Sequence, residues 1–505
     1  MGWSTQQEAI FEFFANGTGN AVVEALAGTG KTTTIIEGVN RAPERRIALC
    51  AFNKRIAEEL QTRITNPNAT AKTLHSLGFG IVRKFRKNVR ILNGSERADA
   101  LAFAVCGPNT PTPVLKAVAN LHSKGREIAP HARNLGDLTD ILEAFSLAPD
   151  AGWGYTPEQV EQKALDAMEL ASKDFAEIDF SDMIFLPVRN RWMSPEFDLV
   201  VVDEAQDMTV AQLEIAQGVC RGRIVVVGDP NQAIYGFRGA DSDSLPRLKN
   251  ELNAVAFPLT VTYRCGRAIV TEAQRLVPTF EAGPSNPDGI ISAIKREELT
   301  ASVSLGDFVL SRLNAPLVSI AMSLLRSGKR TRIAGRDIGK GLIDLTRKLT
   351  KKSGNSIPMF LAEVSKWQEK ELDRLGKART AAIDKLPVSS GPAALARVEN
   401  QFDGRMDFIR DQAEMLQSLA VDAKGVRDVE DNISGLFTDD GLGQAGVITC
   451  SSVHRAKGLE APKVFVLRDT LYPRGIDREE QNIEYVAITR AKLELVWVSA
   501  KEKAA

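Results

Sequence analysis

The sequence predicts an α/β fold with two cores, each a parallel sheet flanked by helices and each interrupted by a mainly helical insertion. Short apolar runs alternate with amphipathic helical patterns in two separate parts of the chain. Polar motifs directly follow the apolar runs, and 505 residues are too many for one hydrophobic core. Because parallel strands end at a common edge, we expect these motifs to lie together.

The first series of elements begins near the N-terminus. "GNAVVEALAGTGKTTTIIEGV" predicts a strand, a glycine turn and a helix, and "RRIALCAF" a second strand followed by a helix through "NKRIAEELQTRI". "FDLVVVDEAQD" and "GRIVVVGDPNQ" predict two further strands. Residues 85–175 interrupt this order with helical patterns. We therefore place the first core at residues 1–84 and 176–255, with its insertion at 85–175.

A second α/β series follows in "GDFVLSRL", "RTRIAG", "AGVITCSSV", "PKVFVLRDT" and "LELVWVSA". It predicts a second core at residues 256–345 and 440–505. The charged helical segment at 346–439 is the second insertion, which we interpret as a lid-like subdomain; a partner-binding coil is the alternative. The basic stretch at 326–341 either follows phosphates or is a solvated helix end and turn.

Composition excludes several classes of protein. Lys+Arg and Asp+Glu are equal at 64 each, so any basic surface must be local. The five cysteines are scattered, which predicts reduced thiols rather than a disulfide framework or a zinc site. We find no apolar run of about 18 residues and no signal-peptide pattern, so we expect a cytoplasmic or nucleoid-associated protein.

"GTGKT" (Gly28 to Thr32) lies between a predicted strand and a predicted helix. Backbone N–H groups of such a loop surround phosphate oxygens, and the helix N-terminus favours negative charge. Lys31 would reach the β- and γ-phosphates and the Thr32 hydroxyl would bind Mg²⁺. The usual first glycine is Ala25 here, and a glycine turn that binds nothing is the alternative.

"LVVVDEAQD" supplies the acids that such a loop requires. Asp203 ends an apolar run, where it would hold Mg²⁺, and Glu204 would polarise the attacking water. The alternative is a run of solvated acids that closes a strand. Together the two motifs predict a nucleoside triphosphatase that uses Mg²⁺.

"GDPNQAIYGFRGA" combines a polar beginning with an aromatic and basic end. Gln232 can contact the γ-phosphate or the water, while Tyr235, Phe237 and Arg238 can contact a nucleic-acid strand by stacking and charge. Such a loop would couple hydrolysis to the grip on a base. Taken alone, the two aromatic residues are better explained as core residues.

With these motifs in order, the chain resembles the UvrD/Rep-like family of superfamily 1 DNA helicases from Gln6 to about Val498. The resemblance implies two RecA-like P-loop NTPase cores (1A and 2A) with ATP between them, a helical 1B insertion and a reduced 2B insertion. It also implies that "STQQEAI", "AFNKRIAEEL" and "TLHSLGF" carry an adenine contact and strand contacts. "DFSDMI" is similar to the segment that re-enters the first core.

The residues that the resemblance implies in the first core fall into two groups. The nucleotide contacts are Gln6, Ala27, Gly28, Thr29, Gly30, Lys31, Thr32 and Thr33. The DNA contacts are Phe52, Asn53, Thr73, His75, Tyr235, Phe237 and Arg238. Phe237 stands where the family commonly has Trp.

In the second core, "LTVTYRCGRAIV", "SSVHRAKGLEAPKVFVL" and "EYVAITRAK" resemble three further family motifs. They imply that Tyr263 stacks on adenine, Arg264 reaches the γ-phosphate and Glu460 lies near the ribose. They also imply that His454 lies near DNA and that Arg490 is an arginine finger, a role suited to a planar, permanent cation.

The resemblance implies an ATP-dependent DNA helicase or translocase with 3′–5′ movement, acting on single-stranded DNA and 3′-tailed duplexes. A loading protein is a possible partner, and repair, recombination and replication restart all use such motors. One alternative is a translocase that removes bound proteins without processive unwinding. Another is a non-catalytic, ATP-gated single-strand-binding module, and RNA as the track stays open.

Overall fold

The structure is a computed structural model that describes residues 2–145, 147–149, 151–234, 244–384, 392–439, 443, 446–473 and 475–499. The chain divides into two compact units, Met1–Thr260 and Val261–Ala505. Each unit contains one large sheet in which all the described pairings are parallel.

The first unit contains a six-stranded sheet with the order β3-β2-β6-β7-β1-β8 and a two-stranded pair, β4-β5. Its strands are β1 (Ala21–Ala25), β2 (Ile47–Ala51), β3 (Ala69–Thr73), β4 (Arg90–Ile91), β5 (Glu177–Ile178), β6 (Phe197–Val202), β7 (Cys220–Gly228) and β8 (Val255–Leu259). Successive residues of β6 enter different cores: Leu199 and Val201 belong to one, Val200 and Val202 to the other. The central strands are continuous apolar runs because both faces of the sheet are covered.

Helices cover both faces of this sheet and form the insertion. They are α1 (Thr5–Asn16), α2 (Lys31–Arg41), α3 (Lys54–Arg63), α4 (Leu74–Phe85), α5 (Glu96–Cys106), α6 (Thr112–Ile128), α7 (Thr139–Ala144), α8 (Pro157–Lys173), α9 (Phe180–Arg189), α10 (Val210–Gly218) and α11 (Ser244–Glu251). Helices α5 to α8 have a separate apolar core that includes Val118, Leu121 and Met168. This core also takes Phe185 and Leu186 from α9, so α9 connects the insertion to the sheet.

The second unit contains a seven-stranded sheet with the order β11-β17-β16-β12-β15-β13-β14 and a two-stranded pair, β10-β9. Its strands are β9 (Val261–Thr262), β10 (Glu281–Ala282), β11 (Ile290–Lys295), β12 (Phe308–Ser311), β13 (Thr331–Ala334), β14 (Phe437–Thr438), β15 (Ile448–Ser452), β16 (Ala461–Leu467) and β17 (Ala491–Ser499). Strand β12 lies between β15 and β16, so segments far apart in sequence meet at the centre of the sheet.

The helices of the second unit include a long hairpin. They are α12 (Arg267–Ala273), α13 (Leu299–Ser302), α14 (Ala315–Arg326), α15 (Arg336–Ser353), α16 (Ile357–Asp384), α17 (Pro392–Ala420), α18 (Val426–Leu436), α19 (Val453–Ala456) and α20 (Arg478–Ile488). Phe360, Leu416 and Leu419 anchor the base of the α16–α17 hairpin in the sheet's core. Farther along, Phe402 and Met406 pack in a small cluster of their own.

The predicted fold class is confirmed, with two parallel sheets flanked by helices. The finer division into cores and insertions stays a prediction. All five cysteines are free, as expected from their spacing. Among the described residues, no helix combines the length and the apolar character needed to cross a membrane.

Candidate active site

The loop between β1 and α2 has the backbone of an anion site. Gly28 and Gly30 have φ values of 70° and 79°, a left-handed conformation that glycine adopts without strain. Lys31 is the first residue of α2, and this helix has no side-chain cap and no acidic residue in its first turn. Its first N–H groups are therefore left for a ligand, and the helix dipole favours a negative one.

Hydrogen bonds from neighbouring side chains stabilise the conformation of this loop. The Thr29 hydroxyl donates to the carbonyl oxygen of Leu26 at 2.9 Å. The Gln7 amide donates to the Thr34 hydroxyl at 3.0 Å, and that hydroxyl donates to the carbonyl of Gly30. Thr32 and Thr33 follow Lys31 in the first turn of α2. The loop is therefore held in shape by its own protein contacts.

Two acids follow β6 and face the loop. Asp203 is buried, and its N–H donates to the carbonyl of Cys50 on β2 at 3.0 Å. Glu204 has a φ of 54°, which is unusual for a residue other than glycine and marks a backbone held by its surroundings. Its Oε2 atom lies 2.8 Å from Nζ of Lys31. The strand ends thus bring the two sequence motifs together.

The electrostatics of this site favour a cation ligand. Burial and the neighbouring Glu204 raise the pKa of Asp203 to about 7. Burial also raises the pKa of Asp229 to about 6, although a hydrogen bond from Gln232 opposes this. Burial alone would lower the pKa of Lys31, but Glu204 and Asp203 outweigh it and raise that pKa. Three carboxyl groups thus surround one ammonium.

These residues fit Mg²⁺ as it is usually bound beside a nucleotide. The ion takes oxygen ligands and is commonly held by one or two carboxylates together with substrate phosphates. Within the described part of the chain, no group of three or more His, Cys, Asp and Glu residues could hold a metal ion by itself. A buried Asp203 carboxylate and the Thr32 hydroxyl are the kind of partial set that phosphate oxygens complete.

Gln206 connects the acids to the loop after β7, and the sequence did not single it out. Its Nε2 donates to Oε2 of Glu204 at 2.5 Å, and its Oε1 accepts the N–H of Asp229 at 3.1 Å. The Gln232 amide donates to Asp229 at 2.7 Å. Asp229 belongs to the polar beginning of "GDPNQAIYGFRGA", and it follows the apolar run of β7 as Asp203 follows that of β6. Tyr235, Phe237 and Arg238 lie outside the described residues.

Gln6 lies at the start of α1 and is bound to the end of β8. Its Nε2 donates to the Thr260 hydroxyl at 2.9 Å, and its Oε1 accepts the Thr260 N–H at 3.0 Å. Both ends of the amide therefore have protein partners. Its predicted adenine contact stays a prediction.

The predicted strand contacts of the first unit lie at the starts of two helices. Phe52 is exposed after β2, and the Asn53 side chain accepts the N–H of Ile56 at the start of α3. Thr73 caps α4 in the same way, through the N–H of Ser76. Asn53 and Thr73 therefore have structural roles as helix caps, whatever else they contact.

His75 in the first turn of α4 lies beside an aromatic residue that the sequence interpretation did not select. Its ring centroid is 6.1 Å from that of Phe180, which begins α9 and is 59% exposed. Burial lowers the pKa of His75, so we expect a neutral imidazole at neutral pH. Phe180 belongs to "DFSDMI", and an apolar ring between acids at a helix start was the available signal.

In the second unit, two predicted site arginines lie close to each other. Nε of Arg264 is 2.6 Å from Oε2 of Glu460, and its Nη1 donates to the carbonyl of Thr489 at 3.3 Å. Arg490 is buried and donates to the carbonyls of Val486 and Leu459 at 3.0 Å and 3.2 Å. Burial and the charge of Arg264 lower the pKa of Arg490 to about 10.

Glu460 and Arg490 directly precede β16 and β17, at the amino edge of the parallel sheet, whereas His454 follows β15 at the carboxyl edge. Glu460 lies between two cations, because Nζ of Lys492 is 2.5 Å from its Oε1. Tyr263 is exposed, and its ring is so close to Gly283 that a Cβ there would lie 3.0 Å from it. His454 lies in α19, directly after β15. Glu460 thus has cationic partners, and its predicted ribose contact stays a prediction.

Comparison with known protein families matches two parts of the chain. Residues 3–253 match the UvrD/REP helicase N-terminal domain, and residues 432–502 match the UvrD-like helicase C-terminal domain. The chain belongs to the UvrD/Rep helicase family. The family resemblance inferred from the motifs is therefore confirmed.

Several curated relatives carry helicase names. An F-box DNA helicase protein 1 of Schizosaccharomyces pombe is 24% identical over 98% of this chain and 57% of its own length. The ATP-dependent DNA helicase PcrA of Leuconostoc citreum is 22% identical over 95% of this chain and 80% of its own length. The ATP-dependent DNA helicase Rep of Escherichia coli is 26% identical over 54% of this chain and 42% of its own length. The chain thus spans little more than half the length of the fission-yeast relative.

The two matched family domains include most of the predicted site residues. The N-terminal family domain includes the phosphate loop, both acids after β6 and the relay through Gln206 to Asp229. The C-terminal family domain includes Glu460 and Arg490. Arg264 lies between the two matched ranges, so its role depends on the motif resemblance and on its contact with Glu460.

Proposed function

We propose that this UvrD-like helicase hydrolyses ATP and couples the hydrolysis to movement along single-stranded DNA. The observation that carries the proposal is the connected set of side chains from Lys31 through Glu204 and Gln206 to Asp229. One end of this set is the phosphate loop, and the other begins the loop that the sequence predicts to touch DNA. A change at the phosphate can therefore reach the DNA contact through hydrogen bonds.

In this proposal, Lys31 binds the β- and γ-phosphates, and Thr32 and Asp203 hold Mg²⁺. The ion, when bound, neutralises phosphate charge and orients the phosphate oxygens. Asp203 is buried and its pKa is about 7, so a neighbouring cation would favour its charged form. Nucleotide binding should therefore release protons near neutral pH.

Glu204 orients and polarises the attacking water in this proposal. In the structure its carboxylate contacts Lys31 and Gln206. A phosphate that attracts Lys31 would weaken the first contact, and Gln206 would keep the carboxylate in place. The N–H of Glu204 also donates to Oδ1 of Asp203 at 2.9 Å, so the two acids are joined directly.

We propose that Arg264 and Arg490 supply positive charge to the γ-phosphate, with Arg490 as the arginine finger. A partly desolvated guanidinium interacts strongly with developing phosphoryl charge. We further propose that Tyr263 and Gln6 contact adenine and that Glu460 contacts the ribose. These roles come from the motif resemblance.

The strand would be gripped by Phe52, Asn53, Thr73, His75 and His454, together with the Tyr235–Arg238 segment. The exposed ring of Phe180 beside His75 adds a further stacking surface. We propose 3′–5′ movement and unwinding of 3′-tailed duplexes, with a loading protein as a possible partner. A motor that moves but unwinds poorly would instead favour the removal of bound proteins.

The test is ATP hydrolysis with and without single-stranded DNA, in the wild type and in Glu204→Gln. We expect strong stimulation by DNA, and a loss of roughly 10²- to 10⁴-fold in kcat for the variant, because a general base is removed. The variant should still bind ATP, and exposed Lys370→Gln is the control. The proposal would be contradicted if single-stranded DNA did not change the rate of ATP hydrolysis, or if Glu204→Gln kept the wild-type kcat. A 3′-tailed and a 5′-tailed duplex then report direction and unwinding.

A further inference from the structure

Helices α4 and α9 pack side by side and carry an aromatic pair at each end. His75 and Phe180 meet where the helices begin. Phe85 ends α4 and stacks on Trp192, just beyond the end of α9, with centroids 4.3 Å apart and planes 16° from parallel. The helices approach closely because Gly78 lacks a Cβ, which would lie 2.0 Å from the carbonyl oxygen of Met183.

The two aromatic pairs lie at opposite edges of the first sheet. Phe85 lies ten positions after His75 along α4, a rise of about 15 Å at 1.5 Å per residue. Helix α4 starts directly after the carboxyl end of β3, at the edge that carries the phosphate loop. Lys84, beside Phe85, pairs with Glu196, which directly precedes β6 at the amino edge of the sheet. The second pair is therefore distinct from the nucleotide site.

Phe85 has an open aromatic face that is already held in place. Trp192 covers one face of the ring, and Phe175 packs against the indole with centroids 5.0 Å apart at 69°. Phe85 is nevertheless 54% exposed, so its other face and edge are in solvent. A ring immobilised in this way can accept a stacked base without a further cost for ordering its side chain.

The chain around Phe85 is strongly basic. The segment "RKFRKNVR" at residues 83–90 contains five cations and no acid. Lys84 and Arg90 pair with Glu196 and Glu177 at 3.4 Å and 2.8 Å. Across the described ranges, the exposed cations of Arg83, Arg86 and Lys87 have no carboxylate partner. Three positive charges without a carboxylate partner therefore flank the open aromatic ring in the sequence.

Between the two aromatic pairs, the exposed positions of α4 are small or basic. Ser76, Gly80 and Arg83 are exposed at helical spacing, and a Cβ added at Gly80 would meet nothing within 4 Å. No bulky side chain from these positions blocks a path along the helix. A flexible polyanion with flat bases could follow this face from His75 to Phe85.

We propose that Arg83, Phe85, Arg86, Lys87 and Trp192, the α4 end patch, form a second contact for single-stranded DNA. The patch binds the strand about one helix length beyond the His75–Phe180 pair, by phosphate contacts and by stacking on Phe85. Single-stranded nucleic acid fits this surface better than an acidic peptide, because the open ring among the cations offers a stacking face. The inference rests on the proposed movement along DNA, and it adds a site outside the predicted strand contacts.

The test compares Arg83→Glu/Lys87→Glu with a matched control, Lys370→Glu/Lys424→Glu. All four lysines and arginines are exposed, and both variants change the net charge equally. Affinity is measured across a salt series for a short oligothymidylate that covers the His75 end and for a long one that can reach the patch. Each phosphate contact with a single strand contributes about 0.7 to the log–log salt slope. We expect the long-oligonucleotide slope to fall by about 1.4 in the patch variant only.

Phe85→Ala tests stacking separately from charge. We expect long-oligonucleotide binding to weaken by about 5-fold to 150-fold, which corresponds to one stacked base, while short-oligonucleotide binding and DNA-stimulated hydrolysis persist. Unfolding midpoints of all variants check that the fold is intact. If the patch variants and the control variant bind the long oligonucleotide with equal affinity and an equal salt slope, the patch does not contact DNA. That result is expected if the patch binds an acidic protein segment instead. Failure of the wild type to bind either oligonucleotide would instead contradict the proposed function.

Discussion

The first unit contains two buried groups of charges that differ in their balance. The nucleotide cluster consists of Lys31, Asp203, Glu204 and Asp229, with one cation and three carboxyl groups. The insertion cluster consists of Arg97, Arg126, Asp179 and Asp182, with two cations and two carboxyl groups. The first therefore has an excess of negative groups, whereas the second is compensated within the protein.

The insertion cluster connects helix α6 of the insertion to the start of α9. Both guanidinium Nη atoms of Arg126 donate to Asp179, at 2.9 Å and 2.8 Å, and Nη1 also donates to Asp182 at 2.6 Å. Arg97 donates to the other oxygen of Asp182 at 3.2 Å. Asp179 also caps α9 through the N–H of Asp182. The cluster is thus a structural joint in which both carboxylates are paired with a guanidinium, while Nε of Arg126 is buried without a hydrogen-bond partner among the described residues.

The comparison separates two uses of buried charge. A compensated cluster specifies one arrangement of two elements, and the removal of one member leaves its partners buried and uncompensated. A cluster with more carboxyl groups than cations is prepared for a ligand of positive charge. Stability should therefore depend on the insertion cluster, and activity on the nucleotide cluster.

The largest effect on the free energy of unfolding is expected for Arg126→Met, which tests whether the insertion cluster stabilises the fold. It leaves Asp179 and Asp182 buried beside a thioether, so we expect a loss of about 3–5 kcal/mol in the free energy of unfolding. Urea denaturation measures it. Arg90→Met, which removes the exposed pair with Glu177, is the control and should cost about 1 kcal/mol or less. Similar costs for both variants would mean that the joint does not stabilise the fold.

Lys31→Met tests whether activity depends on the nucleotide cluster. We expect kcat for ATP hydrolysis to fall by about 10²- to 10³-fold, because a preorganised cation for the phosphates is lost. The free energy of unfolding should change less than in Arg126→Met, since the excess negative charge can be relieved by protonation of Asp203, whose pKa is about 7. Hydrolysis rates and urea denaturation of the same preparations provide both values. A large loss of stability with activity retained would reverse the assignment.

His122 makes the stability contributed near the insertion cluster dependent on pH. It is buried beside the insertion cluster, where its Nε2 donates to the carbonyl of Ala98 at 3.0 Å and its Nδ1 has no hydrogen-bond partner among the described residues. Burial and Arg126 lower its pKa to about 3, below the usual value of about 6.5. Between these values only the unfolded chain binds the proton.

The free energy of unfolding should therefore decrease as the pH falls from about 6.5 towards 3. The contribution of His122 is at most about 1.4 kcal/mol per pH unit. Urea denaturation of wild type and His122→Asn at several pH values isolates it, because the other titrating groups are common to both proteins. A wild type whose pH dependence matches that of the variant would show that His122 titrates normally in the folded state.

Local sequence was sufficient to predict some parts of the site. The phosphate loop and the acids after β6 were predictable because each depends on a short pattern: a glycine turn before a helix, or acids after an apolar strand. The relay through Gln206 to Asp229 was not, because it joins the ends of two strands across 23 residues. Phe180 was missed because its exposure beside His75 depends on how α4 and α9 pack.

The sequence alone determined the two parallel sheets, the family and the chemical character of the nucleotide loop, because apolar periodicity, turn residues and short motifs are local properties. Only the tertiary structure decided which charges compensate one another. Arg126 meets Asp179 across 53 residues, and Phe85 stacks on Trp192 at the far end of a helix pair. Such contacts depend on close packing between distant segments, and a linear pattern contains no record of the distances that packing creates.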